Sequence, residues 1–155
     1  MPISTEPYYR RLLMDQSSSD VARFFQTYEL LISNDEIPAL VSIFEDVFLA
    51  AGPQGGKCVR AQDFALALPK RKQLFDKLGC QSTALVSLQE TALDDRYALV
   101  KTKWRMTFHQ PSGNQEVLVD STYLVDMGRP DPKILLYLAH QDIMQILKDR
   151  GILAN

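Results

Sequence analysis

Apolar residues recur along this chain with two different periods. In the first half the spacing is helical. Val21, Phe24, Phe25, Tyr28, Leu31 and Ile32 form one stripe. Asp20 is placed to cap that helix, and Ser33-Asn34-Asp35 to break it. Leu40, Val41, Phe44, Val47 and Phe48 predict a second helix. Asp35 would cap it, with Pro38 in the first turn, where backbone N–H groups have no intrahelical partner. Gly52-Pro53-Gln54-Gly55-Gly56 is the strongest loop signal in the chain, and a short strand is expected over residues 58–60. Asp63 then caps a third helix running to Leu78, with Gly79 at the position past its end that favours glycine. Pro69 inside that stretch predicts a kink or a later start.

From Ser82 onward the period becomes two. Ala84, Val86 and Leu88 alternate in a first strand, and Asp94-Asp95 makes its turn. Long strands follow over residues 96–109, 115–127 and 133–140. In the first of these, Ala98, Val100, Thr102, Trp104, Met106 and Phe108 share the inner face. The turn Gln110-Pro111-Ser112-Gly113 predicts a hairpin with a four-residue loop and His109 opposite Asn114. That register sets Trp104 against Val119, Thr102 against Ser121 and Val100 against Tyr123, with Lys103 facing Asp120 outside. A one-residue slip would oppose Trp104 and Asp120, so the pattern selects the register. Pairing Asp126 with Lys133 across the next turn points Ile134, Leu136, Leu138 and His140 inward. Residues 142–150 read as a closing helical turn ended by Gly151. Helices first and a meander last predict an α+β fold, one curved, mostly antiparallel sheet wrapped on helices with a pocket between the layers.

Length and composition fit one domain. The 155 residues can bury a core, and 46% hydrophobic with 23% charged content is ordinary for a globular protein. A net charge of −2 gives no general pull toward nucleic acid or anionic membrane. No apolar run is long enough to span a bilayer. Residues 1–19 read as an N-terminal arm without the pattern of a signal peptide, and residues 20–155 as the single domain. Cys58 and Cys80 read as reduced thiols of a cytoplasmic protein. His109 and His140 have no metal-binding spacing, so no metal or other cofactor is expected.

The segment from Val21 to Leu49, with Asn34-Asp35 at its break, resembles the paired N-terminal helices of the nuclear transport factor 2-like superfamily. Ala139-His140-Gln141-Asp142, followed by Ile146-Leu147 and Gly151, resembles the His-Trp-Asp segment and leucine-rich tail of its SnoaL-like branch, with Gln141 in place of the tryptophan. The resemblance covers roughly residues 20–153. It implies a cone-shaped fold of three N-terminal helices packed on the sheet, with a cavity inside and dimerisation through the outer sheet face. The family spans isomerases, dehydratases, cyclases, hydrolases and proteins without catalysis, so fold leaves function open. Its ketosteroid isomerase branch needs a carboxylate base and two donors to an enolate oxygen. Tyr28 matches one donor, but Gly52 stands where the base belongs and Ser121 where the second donor belongs. That mechanism is therefore not expected.

The remaining candidates follow from the two faces. Tyr28, Trp104, Ser121 and Tyr123 would line a pocket for a small, mostly apolar organic ligand, or simply pack the core. His140, if inward, could act as acid/base, with Asp142 orienting it; alternatively His140 is structural and Asp142 caps the closing helix. Lys101, Lys103 and Arg105 form a basic outer stripe offset by Glu116 and Asp120, which does not predict nucleic-acid binding. Leu99, Leu118, Leu124, Leu135 and Tyr137 share that outer face and predict a homodimer. Three functions are compatible with this pattern. They are an uncharacterised SnoaL-like ligand-binding domain, a cyclase, isomerase or hydrolase using His140, and a non-catalytic protein-interaction module.

Overall fold

The computed structural model describes residues 19–154. Except for Ser19, the expected arm lies outside the described residues. Helix α1, Asp20–Ser33, starts where the Ser19 side chain accepts the Ala22 N–H at 3.0 Å, so Ser19 is the cap and Asp20 sits in the first turn. Val21, Ala22, Phe25 and Tyr28 are its buried stripe. The helix ends at Asn34, and Asp35 takes a left-handed φ of 56°.

The second helix is shorter than its apolar pattern predicts. Helix α2 spans only Ile37–Ser42, and Glu36 precedes it without a side-chain cap. The chain then extends into strand β1, Phe44–Gly52, which leaves Val47 55% exposed. Strand β2, Gly55–Arg60, returns antiparallel across a tight turn with Gly52 opposite Gly55. Helix α3, Ala61–Lys77, follows directly from Arg60, with Asp63 inside its first turn and Pro69 inside the helix. Gly79 ends it at φ +88°.

Strands β3 (Cys80–Ala92), β4 (Tyr97–Gln110), β5 (Gly113–Asp126) and β6 (Lys133–Ala139) form the meander, and helix α4 (Ile143–Asp149) closes the chain. The fold is α+β, with four helices among the described residues and a six-stranded sheet of order β2-β1-β6-β5-β4-β3. Every neighbouring pair is antiparallel except β1 and β6. The β4–β5 register is as the alternation requires, with Trp104 opposite Val119 and Lys103 opposite Asp120. Its loop is tighter than expected, because Gln110 already pairs with Gly113. The Lys103 ammonium reaches the Asp120 carboxylate at 2.8 Å, and that contact, with Gln141 beside it, holds Asp120 below the usual carboxylate range.

Two irregularities reverse the expected faces. In β3 the register shifts between Leu85 and Ser87, so Leu85 faces Trp104, Leu88 faces Thr102, and Val86 is the extra residue. In β6, Ile134 pairs with Val125 but Leu136 pairs with Leu124, so Leu135 is the extra residue. Beyond it the sides exchange. Tyr137 joins the inner row with Tyr123, while Leu136, Leu138 and His140 turn outward. The expectation that Tyr137 belongs to the outer face and His140 to the inner face is thereby corrected.

α1 lies along edge strand β3. Ser19 Oγ donates to Glu90 at 2.6 Å, and the Leu85 N–H donates to Glu29 at 2.8 Å. The larger core gathers between α1 and the inner face around Phe25, Phe44, Trp104 and Tyr123. A smaller one, built on Phe75, Phe108, Val117 and Leu147, closes the end of the sheet near α4.

Candidate functional site

A cavity of about 560 Å³ lies between the inner sheet face and the helices. Its walls come from separate parts of the chain. α1 supplies Tyr28, β1 supplies Phe44 and Phe48, and α3 supplies Phe64, Leu68, Arg71 and Phe75. The meander supplies Trp104, Val119, Ser121, Tyr123 and Tyr137. Pairing explains why these converge, since Ala50, Tyr137, Tyr123 and Val100 form one inward row across β1, β6, β5 and β4. Phe44 and Phe48 are fixed by edge contacts to Phe64, with ring centroids 4.8 and 5.1 Å apart.

The polar atoms of this wall divide into engaged and available groups. The Trp104 indole N–H donates to Thr102 Oγ1 at 2.8 Å, and the Thr102 hydroxyl donates to the Ser121 carbonyl at 3.0 Å. That chain ends within the sheet. The Tyr123 hydroxyl leans toward the Tyr28 hydroxyl at 3.4 Å, a long contact. Among the described residues no acceptor takes the Tyr28 proton. Burial pushes both phenols far above their ordinary range, so each is a neutral O–H donor at physiological pH. A buried phenol with an unassigned proton, facing empty space, is suited to a ligand oxygen.

Four charges stand where the cavity meets solvent, on Asp35, Arg71, Lys72 and Asp76. The Lys72 ammonium is 2.6 Å from Asp76 and 3.4 Å from Asp35. Both carboxylates are thereby ion-paired to Lys72 at the opening. The Arg71 guanidinium lies 4.5 Å from the Phe75 ring centroid.

All four residues expected at a ligand site, Tyr28, Trp104, Ser121 and Tyr123, line the cavity. His140 and Asp142 do not. His140 is exposed on the outer face, its Nε2 2.7 Å from Thr122 Oγ1 and its backbone N–H donating to the Asp120 carbonyl at 3.1 Å. The β6 bulge is the cause, and an acid/base role for His140 inside the cavity loses its geometric basis. Asp142 accepts the Gln145 N–H at 3.1 Å as the cap of α4 and a contact from Gln54 at 3.2 Å. No hydrogen bond joins Asp142 to His140 among the described residues. Gln141 clamps Asp120 instead, its amide donating to Oδ2 at 2.8 Å and its oxygen accepting the backbone N–H at 2.7 Å.

The sequence reading missed the contribution of α3. A signal was present, since Phe64, Leu68, Arg71 and Phe75 recur at helical spacing on one stripe, with a cation among the apolar positions. Among the described residues, no group of three or more His, Cys, Asp or Glu side chains could hold a metal ion. Cys58 and Cys80 are both free thiols. No described helix is long and apolar enough to cross a membrane.

No family model matches the chain, and no curated protein is a significant match. Solved structures are similar in fold. A nuclear transport factor 2-like protein of unknown function from Shewanella oneidensis aligns with a TM-score of 0.64 at 13% identity, over 81% of this chain and 99% of that one. A nuclear transport factor 2-like protein with a cystatin-like fold from Novosphingobium aromaticivorans gives 0.65 at 13% identity, over 94% and 92%. The β subunit of benzoate 1,2-dioxygenase from Burkholderia mallei gives 0.61 at 13% identity, over 82% and 91%. At such identities the likeness is one of fold, and the fold of this chain is the nuclear transport factor 2-like fold.

Proposed function

We propose that this chain is a SnoaL-like binding domain for a small, mostly apolar organic ligand. The observation that carries this reading is the aromatic cavity of about 560 Å³ with the unassigned Tyr28 proton in its wall. That volume falls within the range of drug-sized pockets. Tyr28, Trp104, Ser121 and Tyr123 supply the contacts, with Tyr28 donating to a ligand carbonyl or hydroxyl. Binding is favoured over catalysis because the cavity carboxylates are held by Lys72 and His140 faces the other side of the sheet.

The chain has a single tryptophan, and it stands in the cavity wall. Neutral 9-anthracenemethanol is expected to quench Trp104 emission saturably. Val119→Phe, which fills space directly opposite Trp104, is expected to weaken that binding at least tenfold while leaving the fold intact. Absence of saturable quenching of the unmodified protein up to the solubility of the probe rejects the reading.

The same reading includes a homodimer through the outer sheet face. Register supports it, because Leu49, Leu136, Leu124 and Leu99 line up across β1, β6, β5 and β4 on that face. Leu49 is 41% and Leu118 46% exposed, which is apolar area for a second copy to cover. Sedimentation at micromolar concentration should give a dimer, and Leu118→Lys should shift it to monomer. A monomeric unmodified protein removes this part of the proposal.

A further inference from the structure

We infer that the ligand is an organic monoanion, with an apolar, ring-containing body in the aromatic cavity and a carboxylate held by Arg71 where the cavity opens. This inference rests on the ligand-binding reading above and specifies the ligand's class. Three observations lead to it. Arg71 both lines the cavity and is exposed, so its guanidinium is reachable from either side. Among the described residues no carboxylate lies within ion-pairing distance of it, whereas its neighbour Lys72 is held between Asp76 and Asp35. Its guanidinium stands over the Phe75 ring, which restricts the plane it presents and leaves N–H donors uncommitted.

The placement of the charges selects the monoanion. Lys72 contacts both Asp35 and Asp76, whereas among the described residues Arg71 is within ion-pairing distance of neither. One ligand carboxylate pairs with Arg71, the cation of the opening that has no carboxylate partner among the described residues. A phosphate dianion would add a second negative charge beside Asp35 and Asp76 with no cation left to meet it. The depth of the site is apolar and aromatic, lined by Phe44, Phe48, Phe64 and Trp104 together with Tyr28. A flat hydrocarbon body bearing one neutral oxygen for Tyr28 satisfies that wall, and a second anionic group there would be desolvated without a partner.

The test compares two probes of the same shape, 9-anthracenecarboxylate and 9-anthracenemethanol, by quenching of Trp104. The carboxylate is expected to bind the unmodified protein about tenfold more tightly, as one partly exposed charge-assisted pair supplies. Arg71→Met should remove that preference, so that the carboxylate and the alcohol bind the variant equally. Arg71→Lys should retain part of it, because the charge stays and the fork geometry does not. Equal binding of the two probes to the unmodified protein overturns the anion inference while the cavity reading stands. A preference that survives Arg71→Met also overturns it, by locating the anion at another cation. Failure of both probes to quench Trp104 overturns the inference together with the reading beneath it.

Discussion

Gly79→Ala is expected to destabilise the fold by about 3–5 kcal/mol, read as a lower denaturation midpoint in urea with an unchanged slope. Two costs coincide at this residue. Its φ of +88° lies in the region that side chains avoid, and a Cβ would sit 2.3 Å from the His109 carbonyl oxygen. That oxygen is poorly placed to retreat. The His109 N–H donates to the Gly79 carbonyl at 2.7 Å, and Gln110 Nε2 bridges the Leu78 and His109 carbonyls at 2.9 and 3.1 Å. Gly113→Ala is the control, with φ +119° and no atom within 4 Å of the added carbon. It should cost only the conformational share, about 1–2 kcal/mol. Equal losses at both positions would mean that the end of β4 moves freely and that the α3–β3 junction is not pinned.

Asp126→Ala is expected to cost about 2–3 kcal/mol. The Asp126 carboxylate is 2% exposed and joins two turns. It accepts Arg96 Nε at 2.8 Å, Arg96 Nη2 at 2.7 Å and the Gly128 N–H at 3.0 Å. Arg96 is half exposed and regains water when the carboxylate is lost, which keeps the penalty below that of a fully buried pair. The Arg96 hydrogen bonds hold Asp126 below its ordinary value of 3.8. A carboxylate depressed in the folded state binds protons more readily once unfolded, so its contribution is complete above that value. It is lost as pH falls past 3.8 and through the depressed native value. Asp120 and Asp94 are depressed as well, by Lys103 and by the Tyr97 and Arg96 backbone N–H groups respectively, and add to the acid sensitivity. Asp126→Asn isolates one share of it. Its stability difference from the unmodified protein should shrink as pH drops through this window, and a constant difference would exclude Asp126 as a source.

The β4–β5 hairpin was legible because two independent signals agree there. Alternation puts Trp104 and Val119 on the buried side, and charge puts Lys103 beside Asp120. β1 was misread as helix for a simple reason. Phe44 and Phe48 are four residues apart, a spacing that shares one face of either a helix or a strand. What makes this segment a strand is pairing on both sides, with β2 next in sequence and with β6, which is distant in sequence and invisible to local pattern. The faces of β6 were misread because one extra residue, Leu135, inverts every side chain after it. That single inversion exchanged Tyr137 with Leu136 and Leu138, and carried His140 out of the candidate site. Arg71 went unnoticed because a cation on an otherwise apolar stripe reads as a boundary of the buried face rather than as the opening of a cavity.

The parallel contact between β1 and β6 also sets an order of events during folding. β3 through β6 are joined by short connections and can assemble from neighbours in sequence. β1 must find Leu136 and Tyr137 from the far side of that whole meander, with Leu49 and Ala50 as its contacts. Loop-closure entropy makes this the slowest pairing to nucleate. Trp104, Ser121 and Tyr123 are therefore expected to reach their places before Phe44 and Phe48 face them. A folding chain in which β1 docks last would carry an open aromatic groove, which the docking of that one strand converts into an interior.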